Sequence, residues 1–230
     1  ANGDGVFNID DYADDPRVSI EDGQDRADHW LDPSDLIAVF SDGNDDDGNG
    51  FVDDISGWDF FWNDNDAYDD TRFDHGSWEA ELALAEGNDG DGDVGACPNC
   101  MLLMLRVGDS FVCDTNNFAN ALTYAVDMGT SVVVDALGTL NNTGATMAAI
   151  DYAWESGVTI MGSAADEASM HQNYPANNER IINTHAIIHD AEDEEDATTF
   201  LNFANCTNYG GRLELSVGTW GCSSAAVGIG

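Results

Sequence analysis

The sequence contains no lysine: its six basic residues are all arginine, set against 45 aspartates and glutamates. A formal charge of −39 leaves no basic patch for a polyanion, which excludes nucleic acid and anionic membrane surfaces as partners. Long hydrophobic runs are missing as well. No stretch reaches the roughly 18 apolar residues of a membrane span, and nothing reads as a basic-then-apolar targeting segment, so membrane insertion is not expected.

What is present is enough chain, 230 residues, for one good hydrophobic core, and a single large α/β domain is the first expectation. The charge opposes compaction unless cations neutralise it, either as site-bound divalent ions or as the salt of a saline habitat. The acids fall mainly in short Gly/Asn-punctuated loops, which favours bound Ca2+. Such loops suit a calcium-rich exterior, so an extracellular, secreted location is expected; the five cysteines do not by themselves settle the redox compartment.

The composition shifts near residue 95, from an acid-rich beginning to an alternation of apolar strands and helical segments. MLLMLRV (101–107) reads as a buried strand. NNFANALTYAVDMG (116–129) carries Phe118, Leu122 and Val126 at helical spacing and stops at Gly129, and SVVVDALG (131–138) is a second strand. ATMAAIDYAWESG (145–157), with Ile150 and Trp154 on one face, leads through Gly157 into VTIMGSAA (158–165). This β-α-β-α-β order predicts a parallel sheet covered on both faces, with ligands at the carboxyl ends of its strands. RIINTHAII (180–188), TTFLNFAN (198–205) and RLELSV (212–217) are further strand candidates.

DDDGNGFVDD (45–54) places Asp45, Asp47 and Asn49 at alternate positions before Gly50, the spacing that wraps oxygen ligands around calcium. Ser56 stands where an EF-hand has its bidentate glutamate, so Asp53 or Asp54 is expected to supply the later ligands. NGDGVFNIDD (2–11) offers Asn2, Asp4 and Asp11 in the same pattern, with the first ligand position falling before Ala1. Asp64, Asp66, Asp69 and Asp70 in NDNDAYDD, and Asp89, Asp91 and Asp93 in NDGDGD, are further candidate metal ligands, with a solvated turn as the alternative in each case.

The ordered segments DDDGNGFVDDISGWDFF, NDNDAYDD, DHGS, NDGDGDVGACPN, LLMLRV, DALG, GSAADE, NYPA, TNYGG and GCSSAA resemble the subtilisin-like serine peptidases (subtilases) over residues 44–230. The resemblance implies a subtilisin-like three-layer α/β fold with a mostly parallel central sheet, preceded by an acidic N-terminal calcium-loop region at 1–43. It also implies a catalytic base, His75, at the start of a helix, and a nucleophile, Ser223. Ala136, Leu137 and Gly138 match the segment that holds substrate as an added strand, and Ser163, Ala164 and Ala165 match a wall of the specificity pocket.

Several positions depart from that pattern. Asp166 stands where the family usually places the oxyanion asparagine, and an ionised carboxylate there would repel the developing oxyanion. No Asp-Ser/Thr-Gly precedes the calcium loop, so the triad aspartate is expected upstream of Ala1 or is lost. Glu79 lies one helical turn after His75, where subtilases usually carry an apolar residue. The related sedolisins orient their base by an acid at this spacing and use aspartate in the oxyanion position, which leaves a Ser223–His75–Glu79 triad open beside a Glu79 that merely faces water. CPNC (97–100) is expected to be a local disulfide or two idle thiols, and the resemblance makes a Cys206–Cys222 disulfide plausible, with Cys113 left over. The implied function is that of a secreted, calcium-stabilised serine endopeptidase acting on peptide or protein substrates and contacting the remaining segments of its own precursor. The alternative is a catalytically degenerate module with a calcium-dependent structural or assembly role.

Overall fold

The computed structural model describes residues 9–23, 31–70, 74–87, 92, 94–109, 112–188, 207–210 and 215–219. The chain divides into two compact units, Ala1–Val112 and Cys113–Gly230.

In the first unit a short 3-10 turn, Ile9–Tyr12, precedes helix α1, Pro33–Phe40. Helix α1 starts on a reciprocal cap: the Asp32 side chain accepts the Ser34 N–H, and Asp35 reaches back to the Asp32 N–H. Strand β1, Trp58–Asp59, pairs in parallel with β2, Leu105–Arg106. The carboxylate of Asp59, 0% exposed, takes the Arg106 guanidinium at 2.6 Å in a buried ion pair, and Arg106 also lies over the Phe61 ring. The expected strand over 101–107 is therefore shorter than its apolar run. Met101 and Leu102 are exposed, and among the described residues the paired strand is Leu105–Arg106. Helix α2, His75–Leu84, follows the acidic loop, and Cys97 is disulfide-bonded to Cys100. The short extended pieces β3 (Gly108–Asp109) and β4 (Val112–Cys113) come next.

The second unit is built on four strands, β5 (Val132–Asp135), β6 (Thr159–Ser163), β7 (Ile181–Ile188) and β8 (Leu215–Thr219), ordered β5-β6-β7-β8 and parallel throughout. Helix α3 (Thr115–Asp127) leads into β5, and α4 (Gly144–Glu155) joins β5 to β6. Each has a side-chain cap, Asp114 to the Asn116 N–H and Thr143 to the Thr146 N–H. Each ends beside a glycine with positive φ, Gly129 (80°) and Gly157 (81°).

Phe118, Ala119 and Leu122 of α3 pack with Ala149, Ile150 and Ala153 of α4 over Val158, Ile160 and Ile181. The buried face of α4 thus runs through Ala149, Ile150 and Ala153, while Trp154, expected beside Ile150, is exposed. The two described helices cover one face of the sheet. Val132, Val134, Leu215 and Val217 are exposed, so the expected covering of both faces is not seen among the described residues. The candidate strand at 198–205 lies outside them.

Candidate active site

Helix α2 places His75 on its first turn. The preceding Asp74 sits at φ 48° and gives no side-chain cap. Instead, Asp69 Oδ2 accepts both the backbone N–H and the hydroxyl of Ser77 at 3.3 Å, satisfying a donor that a helix start would otherwise leave open. One turn on, Glu79 Oε1 stands 3.6 Å from His75 Nε2, with the two side chains 35% and 38% exposed. The separation is an ion-pair contact, longer than a hydrogen bond.

In the second unit, the loops leaving β5 and β6 are tied to each other. Thr139 and Tyr174 exchange two backbone hydrogen bonds of 2.8 Å. Gly138 lies so close to Asn173 that a Cβ would stand 3.2 Å from that side chain. Asn173 Nδ2 donates to Glu167 Oε1 at 3.0 Å, and Asn208 Nδ2 donates to Glu167 Oε2. Asn208 Oδ1 in turn accepts the Glu167 and Ser169 N–H groups, and the Asn208 N–H donates to the Ala165 carbonyl at 2.8 Å.

Partial burial pushes the Glu167 carboxyl up, but the Asn173 and Asn208 amides more than offset it and hold it below the usual range. This clamp fixes the segment carrying Ser163, Ala164, Ala165 and Asp166, including the left-handed Ala165 (φ 68°). Asp166 is exposed within it. Sequence reading did not single out Glu167, Asn173 or Asn208; the available signal was the acid that ends GSAADE and the amides within NYPA and TNYGG.

Ser223, Cys206 and Cys222 lie outside the described residues, as do Asn2, Asp4, Asp89, Asp91 and Asp93. Cys113 is a free thiol.

The 45–54 loop turns through Gly48 and Gly50, both at positive φ. Asp45 accepts the N–H groups of Gly48, Asn49 and Gly50, and these bonds, Gly50 foremost, hold its carboxyl below the usual range. The Asn49 amide donates to Asp47 Oδ2 and Asp54 Oδ2, so oxygens from three acids and one asparagine share one small turn. Asp53 is used otherwise, gripping the Asp42 and Gly43 N–H groups at the neck of the loop.

The chemistry of this donor set, all hard oxygen on a glycine-bent loop, fits calcium. As they stand, Asp45 and Asp47 accept backbone N–H groups of the loop and Asp54 accepts the Asn49 amide, and no cluster of three or more His, Cys, Asp or Glu poised for a metal occurs among the described residues. In the 63–70 loop, Asp64 and Asp66 each accept a backbone N–H two residues on, Asp69 caps α2, and Asp70 pairs with Arg106 at 2.8 Å. Asp11 lies in the Ile9–Tyr12 turn.

A model described as the subtilase family matches residues 25–224. The chain is similar to thermitase of Thermoactinomyces vulgaris, 31% identical over 169 residues, covering 72% of this chain and 56% of that protein. It is also similar to a thermophilic serine proteinase of Bacillus sp. (strain AK1), 34% identical over 134 residues, covering 58% of this chain and 33% of the relative. The matched part therefore spans from a third to about half of these relatives' lengths. Among solved structures, Sphericase overlaps 49% of this chain and 39% of its own at 26% identity and a TM-score of 0.45.

Proposed function

The chain belongs to the subtilase family, and from that premise we propose that it is a calcium-stabilised, secreted serine endopeptidase that cleaves polypeptides through an acyl-enzyme on Ser223. The observation that carries the reading is His75 on the first turn of α2, with Glu79 within ion-pair reach behind it. His75 would take the Ser223 hydroxyl proton as the oxygen attacks a peptide carbonyl, then return it to the departing amine. Glu79, within ion-pair reach of His75 Nε2, would stabilise the imidazolium formed as that proton arrives. Glu79 would thus supply the orienting carboxylate, the role an aspartate fills in the usual triad.

Ala136–Gly138 would receive the substrate backbone as an added strand, and the clamped loop through Asp166 would face the carbonyl oxygen. Asp166 has to carry a proton to donate there, which predicts activity on the acid side. Asp45, Asp47, Asn49 and Asp54 would hold calcium, which supplies charge neutralisation to the loop and takes no part in the chemistry.

A fluorophosphonate probe tests the reading. Labelling of Ser223 that vanishes in His75→Ala and Ser223→Ala is expected. Glu79→Gln should slow labelling by roughly ten- to a hundredfold. An absence of labelling from about pH 4 to 9, with calcium present, would leave a noncatalytic module of the same fold, the outcome to which an ionised Asp166 points.

A further inference from the structure

Strand β5 ends on an acid turned into the apolar interior. Asp135 is 4% exposed. Its Oδ1 accepts the Leu137 N–H at 3.1 Å, and its Oδ2 has no hydrogen-bond partner among the described residues. Its register partner on β6 is Gly162, which has no side chain to offer.

The titratable neighbour is Cys113 of β4. Burial pushes that thiol up to about 11, and the carboxylates of Asp135 and of Asp114, the α3 cap, push the same way. Cys113 and Leu137 both pack against the Phe118–Leu122–Ile150 cluster, and among the described residues no cationic group acts on Asp135. A carboxylate with an oxygen that meets no donor in such surroundings is disfavoured in its charged form. Burial accordingly raises the carboxyl to about 7, the Leu137 N–H pulling slightly the other way.

We propose that Asp135 is a positioning residue for Ala136–Gly138: its neutral carboxyl holds the Leu137 amide and fixes that edge, and ionisation releases it. The role rests on the reading of 136–138 as the edge to which a substrate strand adds. Ionisation strengthens the bond from the Leu137 N–H, but burial weighs more against the charge, so the charged side chain gains by moving toward water, and doing so breaks that bond. The displacement is confined to 136–138, because the Thr139–Tyr174 rung pins the far end.

The sign follows from the raised value. Between the usual 3.8 and about 7 the folded chain keeps a proton that the unfolded chain has lost. Stability from this group therefore falls as pH rises across that window and is level above it.

Hydrogen exchange of the full chain, read by mass spectrometry at about pH 5 and pH 8 and corrected for the intrinsic rate, tests the proposal. In the wild type, protection of the 136–138 amides is expected to drop about tenfold or more at the higher pH, while that of Thr139 holds. Asp135→Asn, which keeps an acceptor and cannot ionise, should hold the same protection at both. Asp135→Leu, which lacks the acceptor, should lose it at both.

Melting curves give a second readout: the advantage of Asp135→Asn over wild type should widen from about pH 4 to 7 and then stay level. Equal wild-type protection at the two pH values, a parallel drop in Asp135→Asn, or a pH-independent melting difference would overturn the proposal. In peptide hydrolysis, KM should rise with pH in the wild type more than in Asp135→Asn while the ratio of their kcat values holds. Hydrolysis by neither protein would refute the peptidase reading, and exchange would still decide the role of Asp135.

Discussion

Asp69 gives α2 the cap that Asp74 withholds, and the position of His75 depends on it. Replacing Asp69 by Ala should cost about 0.5–2 kcal/mol in chemical denaturation, the usual cost of a lost cap. Asn, which retains one acceptor oxygen, should cost less. From the sequence Asp69 looked like one calcium ligand among several, because a carboxylate in a turn reads the same whether it faces an ion or a helix start eight residues on. Asp135 was hidden for a related reason. In SVVVD the three valines mask the period of two, so nothing in the string tells whether position 135 lies with the buried or the exposed side chains. His75 and Glu79 were legible because their spacing along one helix is fixed by its pitch.

At the scale of elements, the ion pair between β1 and β2 and the clamp after β6 make different demands. Asp59 and Arg106 are both taken out of water, so Arg106→Met leaves an uncompensated carboxylate and should destabilise the chain by roughly 3–5 kcal/mol. The double replacement of Asp59 and Arg106 by apolar residues should recover much of that loss in the same denaturation assay.

Glu167→Gln keeps the size of its side chain but sets an amide NH2 against one of two asparagine donors. A loss of about 0.5–1.5 kcal/mol is expected, together with faster exchange of the 165–169 amides. The helices and strands of the second unit were legible from periodicity to within a few residues, because α3 and α4 each carry a cap and a terminal glycine in the sequence. The extent of β2 was not, since an apolar run such as MLLML marks burial or exposure only once a partner strand is present.

Over the whole molecule, the formal charge of −39 acts against the compact state through self-repulsion. If the 45–54 loop is a calcium site, millimolar calcium should raise the melting temperature by several degrees, a chelator should reverse the shift, and Asp45→Asn should remove most of it. A response to molar sodium chloride equal to that with calcium would instead assign the acids to diffuse screening.

The same imbalance shapes how the few cations are used. Each arginine among the described residues, Arg17, Arg106 and Arg180, is held by an aspartate, Arg180 by Asp151. Arg17 is 65% exposed in its pair, whereas Arg106 is buried and Arg180 half-buried in theirs, so an arginine-directed protease such as trypsin reaches the last two only where their surroundings have opened. Cleavage after Arg106 would report loosening of the first unit and cleavage after Arg180 loosening of the second, so a timed digest becomes a two-channel gauge of which half gives way first. Amine-reactive dyes and cross-linkers, for want of lysine, would find no side-chain amine in these 230 residues.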